Sequence, residues 1–121
     1  MGEHYLNAGT FSFGFYMDDL DVPSVLDQGV WAHWTVTFTS TTLARTVHKN
    51  GVQIGADTAG GQLDLGTANV QIGARPVSGN VGSVAIDKLS AYLRVLSSAE
   101  IASLHASQVT AISGAIVSFN F

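Results

Sequence analysis

Four aspartates fall within ten positions of the sequence and are the first candidates for a metal site. They are Asp18, Asp19, Asp21 and Asp27. Carboxylate oxygens gathered in one loop are the ligands that Ca²⁺ prefers. Aspartate is also frequent in turns for another reason, because its side chain bonds to nearby backbone. The cluster therefore predicts either a calcium loop or a solvated turn, and calcium is the only cofactor that the sequence suggests.

Three further side chains are candidates for contact with a ligand. Tyr16 and Tyr92 stand opposite apolar rows and are expected to be exposed. Exposed tyrosines on a sheet suit stacking on a sugar ring and burial in a protein interface equally well. Arg75 lies in a predicted loop, where it either binds a polar ligand or stays in solvent. We interpret Trp31 as a structural anchor and Trp34 as a core residue.

Residue types needed for catalysis are scarce in this chain. It has no cysteine and only two glutamates, Glu3 and Glu100. Glycoside hydrolysis requires paired carboxyl groups roughly 5–9.5 Å apart, and the spacing Ser97-x-x-Glu100 already assigns Glu100 to a helix capping box. The four histidines show no zinc-ligand spacing, and His33 is expected on a strand face, bonded to a neighbour. We therefore expect no catalytic residues and no enzyme.

Composition restricts the class of protein. Of 121 residues 12% are charged, with nine acidic and five basic side chains and a net charge of −4, whereas a typical soluble domain has about 25% charged residues. At 46% hydrophobic residues the chain is not disordered, and five cations are too few for binding to nucleic acid. No stretch approaches the ~20 consecutive apolar residues of a membrane helix. A single domain over residues 1–121 fits these numbers.

Alternation of apolar and polar residues predicts strands through most of the chain. The clearest apolar rows are Phe11, Phe13, Phe15 and Met17, and then Trp34, Val36 and Phe38. Asn50-Gly51 predicts a two-residue hairpin that Val52 and Ile54 continue. Turn-forming residues cluster over 18–23, 56–61 and 75–82.

Three later strands and one helix complete the predicted elements. The strands are expected over 70–73, 84–95 and 115–121, and the helix over 97–106. Core candidates in the strand at 84–95 are Ile86, Leu89, Leu93 and Val95. We predict an all-β fold, an antiparallel two-sheet β-sandwich (jelly roll) with one short helix near 97–106.

Four motifs resemble, in order and rough spacing, those of a known family. The most specific runs from Ile86 to Leu104: a strand that begins Ile-Asp, an aromatic residue, an arginine, and then Leu-Ser-x-x-Glu-Ile-x-x-Leu. Upstream stand Trp31-x-His33, Asn50-Gly51 and Ile72-Gly73. Over residues 31–104 the chain thus resembles laminin G-like, concanavalin A-like jelly-roll domains. The resemblance implies a module that works outside cells, often with Ca²⁺ at loop aspartates, and Lys88 departs from it where an acidic residue is usual.

The C-terminal segment 114–121 resembles the strand that opens domains of this family. The first and last strands of the fold are neighbours, so we predict a compact, permuted jelly roll with the opening strand at the C-terminus. That arrangement requires Val117 and Phe119 to lie in a sheet core.

The expected function is a non-catalytic structural or adhesion module that works in an assembly at a surface. An extracellular or virion setting, such as a bacteriophage decoration or fibre protein, fits a chain without a secretion signal. We expect no membrane insertion. We expect protein partners or a homo-oligomer, because apolar side chains remain on nominally outward positions: Tyr16, Ala85, Ala91, Tyr92 and Ile116. The alternative is a lectin-like carbohydrate-binding module, with or without Ca²⁺, whose partner is a surface glycan.

Overall fold

The computed structural model describes residues 2–7, 9–15, 18–23, 29–62, 85–107 and 111–120. These residues form eight strands and one helix. The elements are β1 (Gly2–Asn7), β2 (Thr10–Phe15), β3 (Asp18–Pro23), β4 (Trp34–Thr39), β5 (Ala44–Lys49), β6 (Val52–Thr58), β7 (Lys88–Tyr92), α1 (Ser98–Ser107) and β8 (Ala115–Asn120). The predicted strand at 70–73 and the turn at 75–82 lie outside the described residues.

Strands β1, β2 and β3 form an antiparallel sheet, which we call sheet A. Its register pairs Phe11 with Val22 and Phe13 with Leu20. The prediction of a turn over 18–23 was wrong, because Leu20 and Val22 alternate with polar residues and bury one face of β3 beside the phenylalanines of β2. The aspartates of this segment therefore belong to a strand.

Strands β4, β5 and β6 form a second antiparallel sheet, sheet B. Asn50 and Gly51 connect β5 to β6 with φ values of 52° and 81°. Positive φ at both central residues is the mark of a type I′ hairpin turn. The Asn-Gly prediction is confirmed, and Lys49 pairs with Val52 directly across the turn.

Sheets A and B pack face to face around one apolar core. Its buried members are Phe11, Phe13, Leu20 and Val22 from sheet A, together with Val47 and Ala59. The ring of Phe11 lies 4.1 Å from that of Trp34, with 6° between the ring planes, so the aromatic row of β2 meets that of β4. The predicted sandwich and the core position of Trp34 are confirmed.

Among the described residues, a two-stranded ribbon, β7–β8, forms a third sheet in addition to the two sheets of the sandwich. Its first strand covers only Lys88–Tyr92 of the strand predicted over 84–95. Ile86, Leu93 and Val95 were wrong as core candidates, since all three are exposed and Leu93 reaches 86%. The strand ends at a bulge between Ala91 and Tyr92, beyond which the chain bends toward α1.

Helix α1 confirms the predicted helix to within a residue at each end. Ile101 and Leu104 are buried and form a second, smaller core with Leu96. Two further residues pack against this cluster: Tyr92, which precedes the helix in the sequence, and Ile112, which follows it. Within the described part of the chain, no helix is long and apolar enough to cross a membrane.

The C-terminal strand does not meet the condition set for a permuted jelly roll. Strand β8 pairs with β7, but Val117 and Phe119 are 38% and 52% exposed. The prediction that these side chains lie in a sheet core was wrong, because no larger sheet among the described strands covers the ribbon face that carries them.

Candidate functional site

A buried arginine, which the sequence analysis did not single out, binds one member of the predicted aspartate cluster, Asp18, together with Asp57. Arg45 is 1% exposed. Its Nε donates to Oδ1 of Asp57 at 2.7 Å and its Nη2 to Oδ2 at 2.6 Å. Nη1 also donates to the backbone carbonyl of Asp18 at 2.6 Å. These bonds raise the pKa of Arg45, chiefly through Asp57. One feature of the sequence could have revealed this role: Arg45 lies two positions before Val47 and therefore on the same, apolar side of the strand.

The three described aspartates of the predicted metal cluster do not converge on one point. Strand alternation puts Asp18 on the core side of β3 and Asp19 and Asp21 on the other. Asp18 accepts hydrogen bonds from Arg45 and from the backbone N–H of Gly60, the latter at 2.8 Å. Among the residues that the structure describes, no group of three potential ligands could hold a metal ion.

The remaining cluster members have their own contacts or lie elsewhere. Asp21 accepts a hydrogen bond from the Ser12 hydroxyl at 2.5 Å. Asp19 stands against Gly14, where a Cβ would overlap its carboxylate. Asp27 lies outside the described residues, so a calcium role for it stays a prediction.

Tyr92 is half-buried rather than exposed. Its hydroxyl accepts a hydrogen bond from the backbone N–H of Ile112 at 2.9 Å. The guanidinium of Arg94 lies 5.9 Å from the ring centre. The ring thus helps hold the segment after α1 to β7, and a ligand role for Tyr92 stays a prediction.

The Ser-x-x-Glu motif forms the capping box that the sequence predicts. The backbone N–H of Glu100 donates to the Ser97 hydroxyl at 3.2 Å, and the backbone N–H of Ser97 donates to Oε2 of Glu100 at 2.8 Å. Arg94 adds a two-pronged ion pair to Glu100, with N–O distances of 2.9 and 2.7 Å. The hydrogen bonds from Arg94 and then Ser97 lower the pKa of Glu100 to about 2. Arginine, serine and glutamate therefore fasten α1 to the end of β7.

An exposed apolar surface lies on one face of the β7–β8 ribbon, and we call it the ribbon face. The register places Leu89 opposite Phe119 and Ala91 opposite Val117. Leu89 is half-buried, and the other three residues are exposed. Ile116, at the bulge, is exposed at 56%. The predicted outward positions of Ala85, Ala91 and Ile116 match their observed exposure.

Comparison with known proteins adds the family. A laminin G family model, described as the concanavalin A-like lectin/glucanases superfamily, matches residues 2–102. The chain belongs to this superfamily. No curated protein and no solved structure matches the chain. The match ends before β8, so the superfamily domain includes sheets A and B, β7 and half of α1.

Two predicted ligand residues of this concanavalin A-like domain, Tyr16 and Arg75, lie outside the described residues. The structure brings forward a different aromatic residue instead. Trp31 is 68% exposed, next to the exposed Val30. The interpretation of Trp31 as an anchor was wrong, because it precedes the first residue of β4 by three positions and its ring does not reach the core.

Proposed function

We propose that this concanavalin A-like domain is a non-catalytic structural or adhesion module that works in an assembly through the ribbon face. The exposure of Val117 and Phe119 carries this proposal. A two-stranded ribbon is at best marginally stable in water. Large apolar side chains gathered on such a ribbon therefore favour burial against a partner.

The contacts of Glu100 support a binding role over hydrolysis. A glycosidase needs a general acid that is protonated near neutral pH. Glu100 instead has a pKa of about 2, and its two carboxylate oxygens accept hydrogen bonds from Arg94 and Ser97. This carboxylate fits a structural role and is a poor proton donor.

The setting that we propose is extracellular or on a virion surface, as in a decoration or fibre protein of a bacterial virus. Two features support it. The outer side of sheet B is lined with hydroxyls, of which Thr37 and Thr46 contact each other at 2.6 Å. The chain has no cysteine, so its fold needs no disulfide to form.

The oligomeric state tests the assembly. In sedimentation velocity at low micromolar concentration, the wild type should sediment as an oligomer. The double variant Val117→Thr/Phe119→Thr places β-branched residues suited to a strand at both positions and should be monomeric. The matched control Val52→Thr/Ile54→Thr removes exposed apolar side chains from β6 and should leave the oligomer intact. A monomeric wild type, or equal effects of the two variants, would contradict the proposal.

A carbohydrate-binding role is the second candidate, and the exposed ring of Trp31 favours it. An exposed indole provides a large flat surface of the kind that stacks on a sugar. A glycan array should then show binding that Trp31→Ala abolishes, and repetition with a chelator shows whether Ca²⁺ takes part. No signal in either condition would exclude this role for the glycans on the array.

A further inference from the structure

Three of the four histidines meet on one side of sheet B. His48 lies on β5 opposite Thr35, on the face turned away from the apolar core. The backbone of His33 extends the pairing of β4 through two hydrogen bonds with Asn50. Its carbonyl accepts from the backbone N–H of Asn50 at 2.8 Å, and its N–H donates to Oδ1 of the Asn50 side chain at 2.9 Å. This makes His33 and His48 diagonal neighbours, a relationship with a typical spacing of about 7–8 Å.

Helix α1 brings the third histidine to the same place. The ring of His105 lies 5.9 Å from the ring of His33, tilted by 34°. At the hairpin turn a Cβ on Gly51 would lie 3.1 Å from Cα of Ala102 and 3.5 Å from Cβ of His105. The helix and the turn are thus in near backbone contact. We call these four residues, His33, Gly51, Ala102 and His105, the helix–hairpin contact.

The site is built for neutral imidazoles. His48 is 3% exposed, and its Nε2 has no hydrogen-bond partner among the described residues. The same holds for the buried Nδ1 of His33, whose expected hydrogen bond to a neighbour is made by its backbone, with Asn50, and not by this atom. Burial lowers the pKa of both residues, and nearby His105 lowers that of His33 further. A charged ring would need acceptors for both of its N–H groups.

The charged groups on the surrounding elements are already engaged elsewhere. On α1, Glu100 binds Arg94, and on β6, Asp57 binds Arg45. On β5, the ammonium of Lys49 lies 5.2 Å from the centre of the Trp34 ring, on the core side of the strand. These carboxylates are therefore committed to arginines, and neither of them raises the pKa of His33 or His48.

We propose that the helix–hairpin contact is an acid-sensitive latch, in which protonation of His33 and of the neighbouring His48 loosens the C-terminal half of α1 from the β5–β6 hairpin. The sign follows from linkage: a histidine with a lowered pKa in the closed form binds its proton more readily once the contact opens. The latch is therefore fully closed above the ordinary histidine pKa of about 6.5 and loses stability as the pH falls below it. The capping box and the buried Ile101 keep the first half of the helix attached.

Hydrogen exchange localises the effect. After correction for intrinsic exchange rates, amides of residues 102–107 should lose protection roughly tenfold or more between about pH 7 and pH 5, while β2 and β3 change little. His33→Gln/His48→Gln should remove most of this difference, and the control His4→Gln, on β1, should retain it. A loss of protection spread evenly over the protein, or one that persists in the double variant, would overturn the latch.

A titration of the wild type tests the same idea without relying on a variant that folds. Side-chain NMR of the histidine rings should show His33 titrating below 6.5, together with shifts in the α1 amides. If His33 titrates at or above that value, or if the helix resonances do not follow it, the latch does not exist.

Discussion

Nη2 of Arg45 lies 3.0 Å from Oδ1 of Asp18, so a single guanidinium connects the two large sheets. Arg45 belongs to β5 in sheet B, and Asp18 opens β3 in sheet A. The same nitrogen lies 2.6 Å from Oδ2 of Asp57 on the neighbouring strand. A planar group with five donors suits this arrangement, because it can bind one carboxylate with two parallel bonds and still reach a second.

Replacing Arg45 should destabilise the fold through the carboxylates that it leaves behind. Removing one partner of a fully buried ion pair costs about 3–5 kcal/mol. Asp18 and Asp57 are about one-third exposed, so water offsets part of that loss, and Arg45→Met should cost about 2–3 kcal/mol. Urea unfolding at neutral pH measures the change.

One variant separates the two-pronged hydrogen bonding of Arg45 from its charge, and a second serves as a surface control. Arg45→Lys keeps the charge but cannot bridge both aspartates, and should still lose more than half of the stability lost in Arg45→Met. Lys88→Met removes a surface pair, in which Nζ lies 3.2 Å from Asp87, and should change stability by less than about 1 kcal/mol. Equal losses for Arg45→Met and Lys88→Met would refute the bridging role.

Gly55 should resist substitution because sheet A approaches it closely. A Cβ at this position on β6 would overlap Cγ1 of the buried Val22. Overpacking of this kind costs typically about 1–3 kcal/mol, so Gly55→Ala should lower the urea midpoint. Gly61→Ala is the matched control, since a Cβ there meets nothing within 4 Å and should cause no loss. The prediction fails if the two variants unfold alike.

The sequence predicted the local elements well and the long-range polar contacts poorly. Asn50-Gly51 and Ser97-x-x-Glu100 encode their own geometry within a few residues, and both appear as expected. The pairing of Arg45 with Asp18 spans 27 positions and depends on how two sheets meet, which no local pattern records. The aspartate spacing suggested a calcium loop or a solvated turn, whereas strand alternation divides Asp18, Asp19 and Asp21 between two faces of β3.

The exposure of Val117 and Phe119 on β8 was also not predicted by the alternation of the sequence. Alternation places Val117 and Phe119 on one face of β8, as predicted, but it does not reveal whether another layer covers that face. In the structure β8 pairs only with β7 among the described strands, and the face stays open. The high share of apolar residues in the sequence thus includes residues on the surface of this domain as well as residues in its core.

The helix cap should contribute measurably to stability. Ser97→Ala removes the acceptor for the backbone N–H of Glu100 and should cost about 1 kcal/mol. Ser98→Ala is the matched control, because Ser98 is the first helical residue and alanine there favours the helix. Thermal unfolding followed by circular dichroism should separate the two variants, and equal midpoints would exclude a stabilising cap.

Acid should weaken the attachment of α1 through Glu100. The pKa of Glu100 is lowered from 4.5 to about 2 in the folded protein, so the unfolded chain takes up the proton first. The stabilisation is complete above the unfolded value of 4.5 and is lost as the pH falls toward 2. Unfolding midpoints in urea, measured in steps across this interval, should therefore fall more steeply for the wild type than for Glu100→Gln.

The glutamine variant isolates the charge of Glu100 from its place in the capping box. Glutamine still accepts a hydrogen bond from the backbone N–H of Ser97, so only the titration and the ion pair with Arg94 are lost. Arg94→Gln should flatten the same acid dependence, because the bond from Arg94 is the largest cause of the lowered pKa. If both variants lose stability between pH 4.5 and 2 as steeply as the wild type, the link between Arg94 and Glu100 does not stabilise the folded state.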